Sequence, residues 1–254
     1  LVPLDKAVQR PVAGQMMMLE NLRFWPEEEA NDKQFAKKLA ELADVYVNDA
    51  FSCAHRAHAS TYAVAQQLPC FSGPVMAAEL DALSAALNEQ QRPVAAVVGG
   101  AKVSTKLAVL NNFVEKVDIL MLGGGMANTF LTARGEYMGA SLMEPDLIET
   151  AADILVKAEQ SGCRVMLPED GLAATTFSAH VPHREILNKD ILATEMMLDI
   201  GPKAIDSYQQ ALKEVRTVLW NGPMGAFEVR PFDTGTVNLA QMVAKATEKG
   251  YLLS

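Results

Sequence analysis

Cysteine is scarce in this chain, with only Cys53, Cys70 and Cys163 among 254 residues. An odd number without C-x-x-C spacing suggests neither a disulfide framework nor a zinc site, and a reducing cytoplasm is the expected compartment. Basic charge is also short: 22 Lys and Arg stand against 31 Asp and Glu, for a formal net charge of −9, and the cations are scattered rather than massed. This speaks against nucleic acid or an anionic membrane as partner, so any anion site has to be built locally. No apolar stretch approaches the roughly 18 residues of a bilayer span. The opening Leu1-Val2-Pro3-Leu4-Asp5 lacks both the basic start and the apolar run of a secretory signal. It also lacks Met, and the beginning is expected to lie upstream. Low-complexity segments and repeats of solenoid period are absent too.

What is present suits a compact protein of one large or two modest domains: half of the residues are apolar and 21% are charged. Helical periodicity first appears over residues 31–44, where Phe35, Leu39 and Leu42 share a face behind a polar Asn31-Asp32 start. A second helix is expected over 77–88, with Leu80, Leu83 and Leu87 on one stripe between Gly73-Pro74 and Pro93, as a connector between domains. Beyond it the pattern alternates. Strands are expected at 94–98, 117–122, 164–167 and 217–220, and helices at 105–115, from 127, at 145–160, 203–215 and 236–248, the last stopped by Gly250. Short continuous apolar strands between amphipathic helices imply a parallel sheet covered on both faces, so the fold class is α/β, doubly wound.

Polar and glycine-rich clusters follow the apolar runs directly. Met16 to Leu19 leads into Glu20-Asn21-Leu22-Arg23-Phe24, and Val45-Tyr46-Val47 leads into 48–56 with Arg56. Residues 94–98 lead into Gly99-Gly100-Ala101-Lys102, 119–122 into Gly123-Gly124-Gly125-Met126, and 218–220 into Asn221-Gly222-Pro223-Met224-Gly225. Ligands of open α/β sheets bind outside the carboxyl ends of strands, so the five loops are expected to form one active edge. Two of them read strand, glycines, helix, which exposes backbone N–H groups to a phosphate without a Cβ in the way. Lys102 and Lys106, four apart, are expected on one face of the following helix. The alternative is that these glycines are only tight turns and both lysines are solvated. G-x-x-x-x-G-K-[ST] is absent, and Asn128 stands where a dinucleotide fingerprint wants its third glycine, which disfavours a Walker ATPase and an NAD-dependent oxidoreductase.

Arg23 and Arg56 could each hold a phosphate or carboxylate bidentately, or pair on the surface with Glu20 or Asp49. His55 and His58 could serve as acid–base groups but, without a visible partner, read as polar packing residues, Met16-Met17-Met18 as buried strand, and Glu27-Glu28-Glu29 as a solvated approach to a helix.

With these residues in place, the chain resembles the phosphoglycerate kinases along nearly its whole length. The matching segments are 20–24 with 26–29, 47–51 with 54–60, 99–106, 123–130, 198–203 and 220–228. The resemblance implies two Rossmann-like domains facing across a cleft. Residues 1–76 would be an incomplete N-terminal domain for the acid, 77–92 the connector, and 93–254 the nucleotide domain. It implies the reversible transfer of a phosphoryl group between 1,3-bisphosphoglycerate and ADP, giving 3-phosphoglycerate and ATP, by a cytoplasmic monomer. Mg²⁺ is implied to arrive with the nucleotide, and no metal ligand is assigned. By position, Arg23 and Arg56 are implied to grip the phosphate of 3-phosphoglycerate, Lys102 to meet the transferred group, and Lys106 to hold nucleotide phosphates. Gly124, Gly125, Gly201, Asn221, Gly222 and Met224 are implied to line the adenosine pocket, and Glu228 to bond the ribose. The chain departs from the family's pattern at Trp25, where histidine is common, and at Ser52-Cys53, where a glycine-led pair is usual. The family's Asp-Phe-Asn strand with its catalytic arginine, and its metal-binding glycine-rich loop, have no counterpart among these 254 residues. The chain as given is therefore expected to be a nucleotide-binding fragment without turnover.

Overall fold

The computed structural model of the chain describes residues 11–88 and 91–249, with the backbone alone for 85–88. The expected stop at Gly250, the Leu87 side chain and the two chain ends lie outside the described residues. The chain divides into two compact units, Leu1–Ala85 and Ala86–Ser254.

In the N-terminal unit a 3₁₀ turn, Leu22–Phe24, leads into α1 (Pro26–Glu29) and α2 (Lys33–Ala40). Proline opens α1, where its missing N–H costs nothing. The Asp32 carboxylate accepts the Phe35 amide at 2.7 Å and caps α2. That helix is shorter than the periodicity suggests, because Asn31 adopts a left-handed φ of 54° before it and the chain leaves α-helical bonding at Glu41. Phe35 and Ala36 are buried with Ala59, Ala63 and Val64 of a later helical turn, and Trp25 and Tyr46 pack against them. Strand β1 (Tyr46–Asn48) pairs in parallel with β2 (Cys70–Ser72), and α3 (Phe51–Ala54) follows β1. Helix α4 (Pro74–Asn88) is capped by Asp49, whose Oδ1 accepts the Met76 amide at 2.8 Å, and Leu80 and Leu83 on it are exposed. The methionine run is not a buried strand. Among the described residues of this segment only Leu19 forms a bridge, and Met16 and Met18 face solvent.

The C-terminal unit is built on β3 (Val94–Val98), α5 (Leu107–Lys116), β4 (Ile119–Leu122), α6 (Gly124–Ala133), α7 (Ile148–Gln160) and β5 (Arg164–Met166). Three strands follow, β6 (Asp170–Ala174), β7 (His183–Leu187) and β8 (Met196–Ile200), and then α8 (Pro202–Leu212), β9 (Thr217–Asn221) and α9 (Thr234–Glu248). The main sheet is parallel, in the order β5-β4-β3-β9. Every residue of β3 and β4 is buried, and alternate side chains serve opposite cores. Val94, Ala96, Val98, Leu120 and Leu122 pack with Leu110, Phe130 and Ile154 of α5 to α7. Ala95, Val97, Ile119 and Met121 pack with Tyr208, Leu212 and Leu239 of α8 and α9. This is the doubly wound arrangement that the apolar runs imply.

A second, antiparallel sheet of order β7-β6-β8 is an addition to that expectation. Asp170-Gly171-Leu172-Ala173-Ala174 and His183-Arg184-Glu185-Ile186-Leu187 carry no continuous apolar run, so their strand character is hidden until they pair. Arg184 locks this sheet to the turn after β7: its guanidinium meets both oxygens of the nearly buried Glu195 carboxylate, each at 2.8 Å.

Candidate functional site

The strand order creates a crevice. From β3 the chain moves to β4 and β5 on one side and returns to β9 on the other, so loops leave the carboxyl ends of β3 and β9 in opposite directions. At this point backbones touch. A Cβ on Gly99 would run into the Pro223 carbonyl, and one on Gly222, which has a φ of 98°, would meet the Gly99 carbonyl at 2.5 Å. Across the next gap, Gly124 has a φ of 67° and a Cβ there would lie 2.6 Å from the Gly100 carbonyl oxygen. Glycine is needed at these positions because the loops approach closer than any side chain allows.

Two first-turn amides of α6 already serve protein acceptors, Gly124 N–H donating to Met224 O at 2.7 Å and Met126 N–H to Gly100 O at 2.9 Å. The lysines are placed differently from the expected helical face. α5 begins at Leu107, so both Lys102 and Lys106 belong to the turn before it. Lys102 is exposed, whereas the Lys106 ammonium donates to Gly99 O at 2.7 Å, Asn221 O at 2.8 Å and Asn221 Oδ1 at 2.5 Å. Partial burial lowers the Lys106 pKa. With all three donors used, this lysine pins the β3 loop to the β9 loop.

Over these loops lies a cavity of about 360 Å³. Of the residues expected to meet the nucleotide, Gly124, Gly125 and Glu228 line it, beside Gly100 and Gly225. Lys102, Lys106, Gly201, Asn221, Gly222 and Met224 do not line it. Met224 is fully buried beneath, with its sulfur against Gly123. Gly201 instead makes room for the Asp170 carboxylate, which caps α8 by accepting from Lys203 N–H at 2.9 Å and Ala204 N–H at 2.8 Å. The apolar wall comes from Leu142, Phe177, Met196, Met197 and Leu198, which sequence reasoning missed. Only the run Met196-Met197-Leu198 offered a signal. A slightly larger cavity of about 390 Å³ lies between α8 and α9, but no strand-end loop and no glycine lines it, so the candidate site is the crevice.

One buried acid supports this wall. Asp199 of β8 accepts from Gly235 N–H at 2.7 Å and Ile200 N–H at 2.9 Å, and a Cβ on Gly225 would strike its carboxylate. Burial pushes its pKa up to about 7, and the charge of Asp233 adds to the rise.

In the N-terminal unit, Arg23 sits in the 3₁₀ turn with its Nε 3.8 Å from Glu29 Oε1, not paired with Glu20 or Asp49. Both side chains are largely exposed, so this pair adds little stability. Arg56 is exposed just beyond α3, and its carbonyl accepts from Thr61 Oγ1 at 2.6 Å and His58 N–H at 3.0 Å. The acidic run before α2 is not simply solvated. Glu28 is 4% exposed, with its carboxylate accepting from Ser60 N–H at 3.0 Å and Ser60 Oγ at 2.5 Å, and the His58 ring 3.9 Å away. His58 is the half-buried packing residue expected, whereas His55 is exposed. No helix among the described residues is long and apolar enough to cross a membrane.

A family model described as phosphoglycerate kinase matches residues 3–253. The phosphoglycerate kinase of Xanthobacter flavus is 54% identical over 248 residues, covering 98% of this chain and 62% of that protein. That of Zymomonas mobilis is 53% identical over 249 residues, covering 98% and 63%. Among solved structures, the phosphoglycerate kinase of Coxiella burnetii superposes with a TM-score of 0.81 at 40% identity, over 96% of this chain and 63% of its own. The Pyrococcus horikoshii phosphoglycerate kinase gives 0.77 at 31% identity, over 89% and 59%. The chain thus spans about three fifths of the length of the relatives it matches.

Proposed function

The chain belongs to the phosphoglycerate kinase family, and on that premise we propose that it carries the nucleotide site of an enzyme moving a phosphoryl group between 1,3-bisphosphoglycerate and ADP. The carrying observation is the crevice between β3 and β9, a cavity with glycine backbone on one side and an apolar wall on the other. Such a site offers phosphates close approach to backbone and gives a base an apolar surface.

In the ATP-forming direction, the bond from phosphorus to the acyl oxygen breaks and one to a β-phosphate oxygen of ADP forms. 3-Phosphoglycerate leaves, with no covalent enzyme intermediate. Positioning and positive charge do most of the work in such a transfer. Lys102 is assigned to the charge on the transferred group and Lys106 to the nucleotide phosphates, which must compete with the three oxygens that Lys106 serves. Gly124, Gly125 and Glu228 are assigned to nucleotide contact, and Gly201, Asn221, Gly222 and Met224 to shaping the loops behind it. Arg23 and Arg56 are assigned to the phosphate of 3-phosphoglycerate. The N-terminal unit would then bind the acid, 93–254 the nucleotide, and α4 would connect them, in a cytoplasmic monomer. Mg²⁺ is assigned to arrive with the nucleotide.

Calorimetric titration of this chain with MgATP tests the nucleotide assignment, with saturable binding at one site expected. The catalytic assignment is tested by Lys102→Ala in an assay of ADP release with 3-phosphoglycerate and MgATP, using whatever length of the protein shows turnover. Loss of one such stabiliser lowers kcat ~10²-fold or more, and a variant within about twofold of wild type would remove Lys102 from that role.

A further inference from the structure

The turn that carries Lys102 has few ties of its own. Val103 is buried as an anchor, Thr105 Oγ1 donates to Lys102 O at 2.9 Å, and Lys106 N–H donates to Val103 O at 2.8 Å. The Lys106 ammonium ties the end of this turn to Asn221, and its middle, at Ser104, is tethered by Glu144, 40 positions later. One oxygen of that carboxylate accepts from Ser104 N–H at 3.0 Å and the other from Ser104 Oγ at 2.5 Å. Glu144 is itself held, its own N–H donating to Thr129 Oγ1 on α6 at 3.1 Å. It therefore links the loop after β3 to the helix that begins in the loop after β4, and Gly100, Ala101, Gly124 and Gly125 of those two loops line the cavity. Desolvation works against its charge, but the hydroxyl and amide of Ser104, the amide of Val103 and the charge of Lys102 hold the carboxyl below its ordinary range.

We propose that Glu144 is a positioning residue for Lys102: its carboxylate fills the hydroxyl and amide cradle of the turn and fixes where the ammonium is presented to the transferred phosphoryl group. The proposal rests on the nucleotide reading above. A carboxylate in the cradle also keeps a phosphate from settling there, and directs it to the lysine side chain instead.

The test is a double-mutant cycle on the full chain, with affinities for MgATP and AMP and melting temperatures measured for each variant. Glu144→Ala is expected to weaken MgATP ~5–10-fold and to leave AMP within about twofold, because only the distal phosphates reach Lys102. In a Lys102→Met background the same change is expected to have no further effect on MgATP. Ser104→Ala removes one bond from an exposed hydroxyl without threatening the fold, and is expected to weaken MgATP about twofold to threefold. If Glu144→Ala fails to fold, Ser104→Ala decides the matter in the same two backgrounds. Equal losses for AMP and MgATP, or a loss that persists without the Lys102 ammonium, would reduce Glu144 to a structural tether. Unchanged MgATP affinity in both variants would also overturn the proposal and leave the nucleotide reading intact. A wild-type chain that binds neither ligand would sink that reading and this inference with it.

Discussion

The crevice of the C-terminal unit and the arginine-bearing loops of the N-terminal unit are both assigned to phosphate, yet they are built from different parts of the chain. In the crevice, backbone touches backbone: Gly99 lies under Pro223, Gly222 under Gly99, and Gly124 against Gly100. In the N-terminal unit the exposed cations Arg23 and Arg56 stand on turns braced by side chains, with the buried Glu28 bonded to Ser60 at the centre. A site made by close backbone approach tolerates no added atom, whereas one made of exposed side chains tolerates loss of any group except the buried brace. That contrast orders the expected effects of substitution.

The largest effect is expected at Gly99. Alanine there drives a Cβ into the Pro223 carbonyl, which is backbone and has no rotamer to escape through. Gly99→Ala is expected to cost about 3 kcal/mol or more in urea unfolding and to abolish calorimetric MgATP binding. A variant of wild-type stability would show that the two loops do not meet as described, and would break the comparison at its root.

Asp199 sharpens the comparison, because here the crevice too depends on a buried carboxylate. Its folded pKa is pushed to about 7 from an ordinary value near 3.8, so the folded chain holds this proton more tightly than the unfolded one. The group's contribution to stability is complete below the unfolded value and is lost as pH rises through the window from about 4 to 7. The slope is at most about 1.4 kcal/mol per pH unit. Asp199→Asn should remove that slope, as read by urea unfolding at several pH values. Parallel profiles for wild type and variant would mean that Asp199 does not titrate in this window.

Smaller effects are expected in the N-terminal unit, and they separate brace from cation. Glu28→Gln is expected to destabilise that unit by about 1–2 kcal/mol, since it removes the charge that Ser60 bonds and leaves an amide facing a donor. Arg56→Ala, at an exposed site, is expected to shift stability by less than about 0.5 kcal/mol. Neither should change MgATP affinity. A larger loss from Arg56→Ala than from Glu28→Gln, in melting temperature, would reverse the assignment of brace and cation.

The same contrast explains what was legible beforehand. Glycines at 99, 123 and 222 announce themselves, because a loop that needs missing side chains spells that need in its composition. β3 and β4 were visible as apolar runs for a related reason: a strand buried on both faces has no polar positions to interrupt it. The cavity wall was not visible. Phe177 and Met197 come from strand and turn segments in or beside a sheet without an apolar signature, and only the run Met196-Met197-Leu198 hinted at a wall there. Glu28 and Glu144 were equally hidden. Each looks like a surface acid among its neighbours, and each finds its partner through a contact 32 or 40 positions away.

By itself, then, the sequence determined which segments are strands of the main sheet, where loops must pass close to one another, and to which family the chain belongs. Those properties are local: side-chain size, period and the missing Cβ act within a few residues. Tertiary structure alone decided the order β5-β4-β3-β9, and with it the crevice between β3 and β9. It placed Lys106 on Asn221 across 115 positions, Asp199 beside Gly225, and Met224 beneath the cavity it was expected to line. Strand order and such contacts follow from how two faces of a sheet share a limited set of helices, a balance of burial across the whole unit that no short window of sequence contains.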